Sequence, residues 1–290
     1  MTNQPKEMKI EDVILGYDRK GMSGLRPFLP EDFCEQAARL ITRPLGNAFI
    51  VTGFFILKVG LPETDGPPGA VLLGRGLKEM GFNVFYITDQ FSLDLMQDLT
   101  EGEDAVISFP LDDDPGSEKF AQSLLKQYQP SLLVSIERCG RSADGRYLNM
   151  SGVDISSVNA KIDYLFLHHG RSIGIGDLGN EIGMGNLAHI IPSVDHLVPN
   201  PCVTRTTQLI IASVSNWGGY GLLAALSKRL GRNLVPRPEE ERRLIERAVA
   251  IGAVDGCANE RVCTVDGFPL EENAEVLSRL HKILAAQGIG

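Results

Sequence analysis

Oxygen-donor side chains cluster in two short glycine-containing segments of the chain. The first is LPETDGPPGA, in which Glu63 and Asp65 precede two consecutive prolines. The second is GIGDLGNEIGMGN, which contains Asp177, Asn180 and Glu181. Carboxylate and amide oxygens are hard ligands that suit Mg²⁺, Mn²⁺ or Ca²⁺. The two segments therefore predict a site for a divalent cation, with these five residues as candidate metal ligands.

The spacing within the second segment offers one way to bring its ligands together. If the chain becomes helical at Asp177, then Asp177, Asn180 and Glu181 occupy positions i, i+3 and i+4 and share one face. The same stretch contains the pattern G-x-G-x-x-G at positions 174–179, which is typical of dinucleotide-binding loops. Asp177 lies inside that pattern, where its charge would repel a pyrophosphate, and glycines rather than a helix follow it. We therefore expect no nucleotide cofactor.

A third segment, ERCGRSADGRYLNMSGVD, contains several arginines beside an acid. Arg138 and Arg141 could clamp a carboxylate or phosphate through paired hydrogen bonds. Asp144 in the same segment is a candidate general base or further metal ligand. Alternatively, the segment is a solvated loop with ordinary surface charges. His168 and His169 are candidate bases or ligands, and we take His169 as the catalytic candidate, although a lone histidine is more often structural.

Strands that alternate with helices must position these segments. Apolar, β-rich runs predict strands at 47–58, 83–89, 104–110, 131–137 and 206–215. Helical periodicity predicts helices at 69–81, 91–99, 117–129, 219–231, 238–252 and 271–287. The alternation favours an α/β fold, a largely parallel, Rossmann-like three-layer arrangement with helices on both faces of the sheet. A long glycine-rich irregular region is expected at 138–200.

In such sheets ligands bind at the carboxyl ends of the strands. The acidic segment at 61–70 and the arginine segment at 137–154 both directly follow predicted strands, so we expect them to form the site together. The sequence shows no repeats and no linker. We therefore expect a single domain over 1–290, in which residues 1–45 form a peripheral helical segment.

The composition disfavours nucleic acids and membranes as partners. The 290 residues include 28 Lys and Arg against 37 Asp and Glu, a net charge of -9. That charge disfavours nucleic acid and anionic membranes, which reward clustered positive charge. No apolar run reaches the roughly 18 residues that span a bilayer, and the N-terminus lacks the apolar core of a signal peptide. We expect a cytoplasmic protein with a small-molecule substrate, and its terminal helices could support a homodimer.

Four motifs together resemble the D-glutamate cyclase family: TGFFI, PETDGPPGA, ERCGRSADGRYLNMSGVDIS and GIGDLGNEIGMGN. The resemblance implies an enzyme, a carbon–oxygen lyase (hydro-lyase) that converts D-glutamate to 5-oxo-D-proline and water. It places Thr52 and Gly53 of TGFFI, with Arg138 and Arg141, as candidate substrate contacts. Asp144, Asp177 and His169 remain the candidate catalytic groups.

The reaction explains why these residue types are needed. The substrate amine must lose a proton, the γ-carboxylate must become electrophilic, and the substrate must be folded into a ring. A divalent ion, Mg²⁺ or Mn²⁺, would polarise the carboxylate. The same acidic site would also suit a Mg- or Mn-dependent phosphatase, and a metabolite-binding protein without catalysis is a third alternative.

Overall fold

A computed structural model describes residues 8–41 and 45–290 of the chain. The strands are β1 (Asn47–Val51), β2 (Phe55–Ile56), β3 (Leu61–Pro62), β4 (Asn83–Asp89), β5 (Ala105–Phe109), β6 (Leu132–Ile136), β7 (Ser172–Gly176), β8 (Gln208–Ile211), β9 (Thr264–Val265) and β10 (Phe268–Pro269). The α-helices are α1 (Ile10–Ile14), α2 (Phe33–Leu40), α3 (Pro67–Glu79), α4 (Leu93–Leu99), α5 (Asp114–Tyr128), α6 (Tyr164–Leu167), α7 (Ser215–Leu230), α8 (Pro238–Ile251) and α9 (Leu270–Ala285).

Six strands form one parallel sheet in the order β5-β4-β1-β6-β7-β8. Alternate residues of each strand face opposite layers of helices. Ala48 and Ile50 of β1 join the core beneath α3 and α7, whereas Phe49 and Val51 join the core beneath α5 and α6. The result is a three-layer Rossmann-like α/β fold, as the sequence predicts. Within the described ranges, no helix is long and apolar enough to cross a membrane.

The strand order reverses direction between β1 and β6, which lie side by side at the centre of the sheet. From β1 the chain crosses over to β4 on one side, and from β6 it crosses to β7 on the other. A crevice opens outside the carboxyl ends of two such strands, and ligands of doubly wound sheets bind there. The segments after β1 and β6 therefore line the place where a site is expected.

Two strand predictions need correction. The predicted strand 47–58 ends at Val51, and its second half turns back as an antiparallel hairpin of β2 and β3. Gly53 explains the break, because its φ of 107° lies in a region that suits glycine. The second correction is β7, an interior strand of the sheet inside the region expected to be irregular. Its sequence, SIGIG, contains two glycines that weaken the strand signal.

The N-terminal segment was expected to be peripheral, and the structure corrects this for its described residues, 8–41. Helices α1 and α2 pack on α7. Ile14, Leu25, Cys34 and Ala37 are completely buried in the main core. Residues 1–7 and 42–44 of that prediction lie outside the described part of the chain. The segment is therefore part of the core, and its loop after α1 reaches the site described below.

Glu241 is an acidic side chain buried between helices. It lies in the first turn of α8, and its Oε1 has no hydrogen-bond partner in the described structure. Burial raises the pKa of Glu241 to about 8, although the neighbouring Tyr220 hydroxyl lowers it in part. Between about pH 5 and pH 8 the folded protein therefore keeps the proton of Glu241, whereas the unfolded chain has already released it. Its contribution to stability is present at low pH and is lost as the pH rises towards 8.

We expect Glu241→Gln to remove this pH dependence. The variant and the wild type should be close in unfolding free energy near pH 5, and the variant should be more stable near pH 8. The expected difference near pH 8 is on the order of 4 kcal/mol, because each tenfold difference in proton affinity is worth about 1.4 kcal/mol. Urea denaturation at several pH values measures it. A constant offset between the two proteins across this range would show that Glu241 does not titrate there.

Candidate active site

A cavity of about 430 Å³ opens at the carboxyl edge of the sheet. Its inner end is charged: Glu63, Glu137, Asp177 and Asp266 line it together with Lys20. These side chains come from five separate parts of the chain and meet beside the crevice between β1 and β6. A volume of this size is typical of small-molecule sites. The cavity is therefore the candidate active site.

The acids at the inner end form two overlapping groups. Asp65, Asp177 and Asp266 can place one carboxylate oxygen each within 4.8 Å of the others, and so can Glu137, Asp177 and Glu181. Asp177 belongs to both groups. Three convergent carboxylate oxygens are the kind of ligand set that holds a hard divalent cation. The acidic groups could therefore hold a metal ion, with Asp177 between two candidate positions.

Asp65 is fixed by the start of α7. Its Oδ2 accepts a hydrogen bond from the Ser215 amide at 2.9 Å, and its Oδ1 accepts one from the Asn216 amide at 2.8 Å. In return, Asn216 Oδ1 accepts hydrogen bonds from the amides of Gly66 at 3.0 Å and Gly69 at 2.9 Å, at the start of α3. The two helix starts thus cap each other. Asp65 therefore caps the start of α7, and Asn216 of α7 caps the start of α3.

Glu137 follows β6 in a strained backbone conformation. Its φ of 45° is in the left-handed region, which residues other than glycine rarely adopt. The side chain is buried, and its Oε2 accepts a hydrogen bond from Ser215 Oγ at 2.6 Å. Strain of this kind is often retained at functional positions, where the surroundings hold it in place. Sequence reasoning assigned no role to Glu137, although its place after a central strand was a usable signal.

The segment after β7 is an open loop and not a helix, so Asp177, Asn180 and Glu181 do not share a helical face. Gly179 and Gly183 have φ values of 122° and 105°, which a helix does not allow. The loop instead folds around the buried Glu181 carboxylate, which accepts hydrogen bonds from the amides of Asp177 at 3.2 Å and Gly179 at 2.7 Å. This holds Asp177 with its side chain at the inner end of the cavity.

Lys20 is the basic group at the inner end of the cavity, and no motif in the sequence predicts it. Its Nζ donates hydrogen bonds to Asp177 Oδ2 and Asp266 Oδ2, each at 2.6 Å. The loop that carries it is held by Asp18, whose Oδ1 accepts hydrogen bonds from the amides of Lys20, Gly21 and Met22. Burial alone would lower the pKa of Lys20, but Asp177 and Asp266 raise it well above its usual value. The ammonium ion therefore stays charged.

Asp266 reaches the cavity from a tight hairpin near the end of the chain. Asp266 and Gly267 form the two-residue connection between β9 and β10, with φ values of 53° and 75°. Positive φ at both positions is typical of a type I′ turn, for which Asp-Gly is a favoured sequence. The sequence VDGF was therefore a usable signal for the hairpin, although not for its contact with a loop 246 positions earlier.

The crowded acids retain their protons more strongly than isolated ones. Burial, followed by the charges of neighbouring acids, raises the pKa of Glu63, Asp65 and Glu137 well above the usual values. Burial also raises the pKa of Asp177, and that of Asp266 to about 7, against the opposing effect of Lys20. One ammonium ion thus leaves the cluster short of positive charge. A bound cation would relieve this.

Arg138, a predicted substrate contact, is a structural residue in this fold. It is buried, and its guanidinium donates hydrogen bonds to Asp89 Oδ2 at 2.6 Å, the Gly53 carbonyl at 2.8 Å and the Ala160 carbonyl at 2.9 Å. The first of these is a buried ion pair. The guanidinium therefore ties the ends of β1 and β4 to the loop before α6, and it does not line the cavity.

Apart from Asp177, the other predicted substrate and catalytic residues also lie outside the cavity lining. Arg141 pairs with Asp114 at the start of α5, and Asp144 is an exposed partner of Arg146. His169 is remote from the cavity because it precedes β7 and so lies at the amino edge of the sheet. Its Nε2 forms a hydrogen bond with the Pro130 carbonyl. Thr52 and Gly53 precede Phe54 in the chain and are not among the lining residues. Thr52 is fully buried, and its hydroxyl has no hydrogen-bond partner in the described structure.

The mouth of the cavity differs from its inner end. Phe54, Phe55 and Leu57 of the first hairpin form one wall, and Met150 and Val153 form the other. The exposed Lys58 extends from the same hairpin. The cavity therefore combines a negatively charged inner end with an apolar wall and a single basic group at the rim.

Comparisons of the sequence with known families and curated proteins identify one family. The sequence model of the family described as D-glutamate cyclase-like, C-terminal, matches residues 10–281. The chain is 39% identical over 181 residues to the mitochondrial D-glutamate cyclase of Homo sapiens. That alignment covers 57% of this chain and 29% of the human protein. A solved structure of an exopolyphosphatase-related protein from Bacteroides fragilis aligns with 90% of this chain and 58% of its own, at 12% identity and a TM-score of 0.43.

Proposed function

The chain belongs to the D-glutamate cyclase-like family, and from this premise we propose that it is a lyase that closes D-glutamate into 5-oxo-D-proline with loss of water. The family match over residues 10–281 is the observation that carries the proposal. The cavity supports it, since the four motifs of the resemblance converge around one edge of the sheet. The alignment covers 29% of the length of the human relative. The activity of that whole protein is therefore a proposal for this chain.

The residues of the cavity suit the three requirements of ring closure. The Glu63 carboxylate faces the cavity without a hydrogen-bond partner in the described structure. We therefore assign Glu63 as the general base that accepts the proton released by the substrate amine. We assign Lys58 at the rim to bind the α-carboxylate, in the role first expected of the arginines. The apolar wall at Phe54 and Met150 would exclude water from the folded substrate.

We assign Glu137, Asp177 and Glu181 as the ligands of a divalent cation, Mg²⁺ or Mn²⁺, with Asn180 beside them. When bound, such an ion would neutralise and polarise the γ-carboxylate of the substrate. The Glu181 carboxylate is oriented by the amides of Asp177 and Gly179, and that of Glu137 by Ser215 Oγ. The Asp177 carboxylate accepts its hydrogen bond from Lys20 Nζ. The ligand set is all oxygen, which favours these ions over zinc or copper.

The direct test is an activity assay on metal-stripped protein, with Mg²⁺ or Mn²⁺ added back. D-glutamate and L-glutamate are supplied separately, and 5-oxoproline is followed by chiral chromatography. We expect 5-oxo-D-proline from D-glutamate only, and only with metal. A parallel reaction with a phosphomonoester follows phosphate release.

Each outcome has a distinct meaning. Phosphate release without 5-oxoproline would overturn the proposal in favour of a metal-dependent phosphatase at the same acids. Tight binding of D-glutamate without turnover would indicate a metabolite-binding protein. Activity that is unaffected by metal removal would leave the lyase proposal standing and remove the cation from it.

We further propose a cytoplasmic location and a free small-molecule substrate, without nucleic acid or membrane as partners. A homodimer through the terminal helices remains a prediction. Size-exclusion chromatography with light scattering measures the oligomeric state, and a monomer at all concentrations would contradict it.

A further inference from the structure

Lys20 already occupies one of the two candidate cation positions. Its Nζ lies 2.6 Å from an oxygen of Asp177 and 2.6 Å from an oxygen of Asp266, two of the three acids in the first group. Oxygen ligands surround Ca²⁺ at about the same distance. In the described part of the chain, Lys20 is the only lysine or arginine that forms an ion pair with any of the six acids at the inner end. The position between Asp177 and Asp266 is therefore one that the fold fills with positive charge.

Glu63 provides an independent sign that this end of the cavity receives a ligand. Its side chain is 95% buried, since only 5% of the residue is exposed, and it lines the cavity. No described residue donates a hydrogen bond to its carboxylate. Burying an unpaired carboxylate is costly, and such groups are normally compensated by a bound partner. Glu63 lies next to the first acidic group, and the charges of its members Asp65 and Asp266 both raise the pKa of Glu63.

We propose that Lys20 takes the place of a second divalent cation, so that the wild-type chain binds a single metal ion, at Glu137, Asp177 and Glu181. Loss of the Lys20 ammonium would free the position formed by Asp65, Asp177 and Asp266, and a second ion would bind there. The inference rests on the metal-binding part of the proposed function.

The physical reason is competition for the same carboxylate oxygens. Asp177 is shared, so two divalent ions would lie on either side of one carboxylate, and the ammonium ion would be forced against one of them. Like charges in a buried site repel strongly because little solvent screens them. Hydrogen bonds from three backbone amides to Asp18 fix the backbone at Lys20, so its side chain extends from a fixed point beside the acids. The ammonium ion is held there by Asp177 and Asp266, and its positive charge thus excludes one metal ion.

The experiment counts metal ions in three full-length proteins: wild type, Lys20→Met and Lys20→Arg. Each metal-stripped chain is titrated with Mn²⁺ by calorimetry, and electron paramagnetic resonance detects whether bound ions are magnetically coupled. We expect one ion for the wild type and for Lys20→Arg. For Lys20→Met we expect two ions with a coupled spectrum, because both would share Asp177.

Lys78→Met is the matched control, since it removes an ion-paired lysine on α3 that lies outside the cavity. It should bind one ion. Two ions in the wild type would overturn the inference, and this result does not depend on any variant folding. A Lys20→Met chain with native circular dichroism and a single ion would also overturn it. A wild type that binds no ion would overturn the inference together with the metal in the proposed function, whereas 5-oxoproline formation by that metal-free protein would leave the lyase proposal standing.

Discussion

Asp177→Asn is expected to lower kcat/KM for ring closure by roughly 10³-fold, the upper range for losing one preorganised charge contact at a reaction centre. The reason is that Asp177 belongs to both acidic groups and also accepts a hydrogen bond from Lys20. An amide keeps the shape of the side chain but removes its negative charge. Steady-state kinetics at saturating metal measures the loss of kcat/KM, and a Mn²⁺ titration measures the change in metal affinity.

The free energy of unfolding of Asp177→Asn should equal that of the wild type or exceed it. Asp177 is a buried acid among acids, and removing one of several crowded negative charges relieves repulsion. The fold of Asp177→Asn should therefore be intact by circular dichroism. Asp98→Asn is the control, because Asp98 forms a surface ion pair with Arg247 outside the cavity. Full activity and unchanged metal affinity in Asp177→Asn would remove this residue from the centre.

Arg138→Met is expected to destabilise the protein by about 3–5 kcal/mol, the usual cost of removing one partner of a buried ion pair. Both Arg138 and Asp89 have side chains that are 1% exposed. Without the guanidinium, Asp89 is left as an unpaired buried charge, and the carbonyls of Gly53 and Ala160 lose their donor. Urea denaturation measures the loss. The KM of the remaining folded enzyme should stay close to that of the wild type.

A double-mutant cycle separates this structural role from substrate binding. The variant Asp89→Asn in the Arg138→Met background should recover part of the lost stability, because it removes the unpaired charge. Arg146→Met, which breaks an exposed pair with Asp144, should leave the free energy of unfolding nearly unchanged. A stable Arg138→Met protein with a greatly raised KM would restore the substrate role that the sequence suggested.

The sequence predicted the sheet well because strands, helices and their alternation depend on local patterns. Glu63, Asp65, Asp177, Asn180 and Glu181 were all selected from two short segments, and the structure brings them together. Their role as metal ligands stays a prediction. The helical face proposed for Asp177 was wrong because positive-φ glycines in the same segment prevent a helix.

The rest of the site depends on contacts between distant parts of the chain. Lys20 has no motif around it, and only the packing of α1 and α2 against α7 brings its loop to the cavity. Arg138 could not be distinguished from a substrate-binding arginine by residue type. Its partner Asp89 ends another strand, and only the sheet order β4-β1-β6 places the two together.

The pairing of Lys20 with Asp266 also has a consequence for synthesis of the protein. The two residues are 246 positions apart, and the ribosome produces the first long before the second. A nascent chain that has already formed β1 to β8 holds Asp177 and Lys20 but lacks the second acid that fixes the ammonium ion. The charge balance of the centre is therefore completed only when the hairpin of β9 and β10 has been made, so a chain that stops before Asp266 cannot assemble the finished cluster.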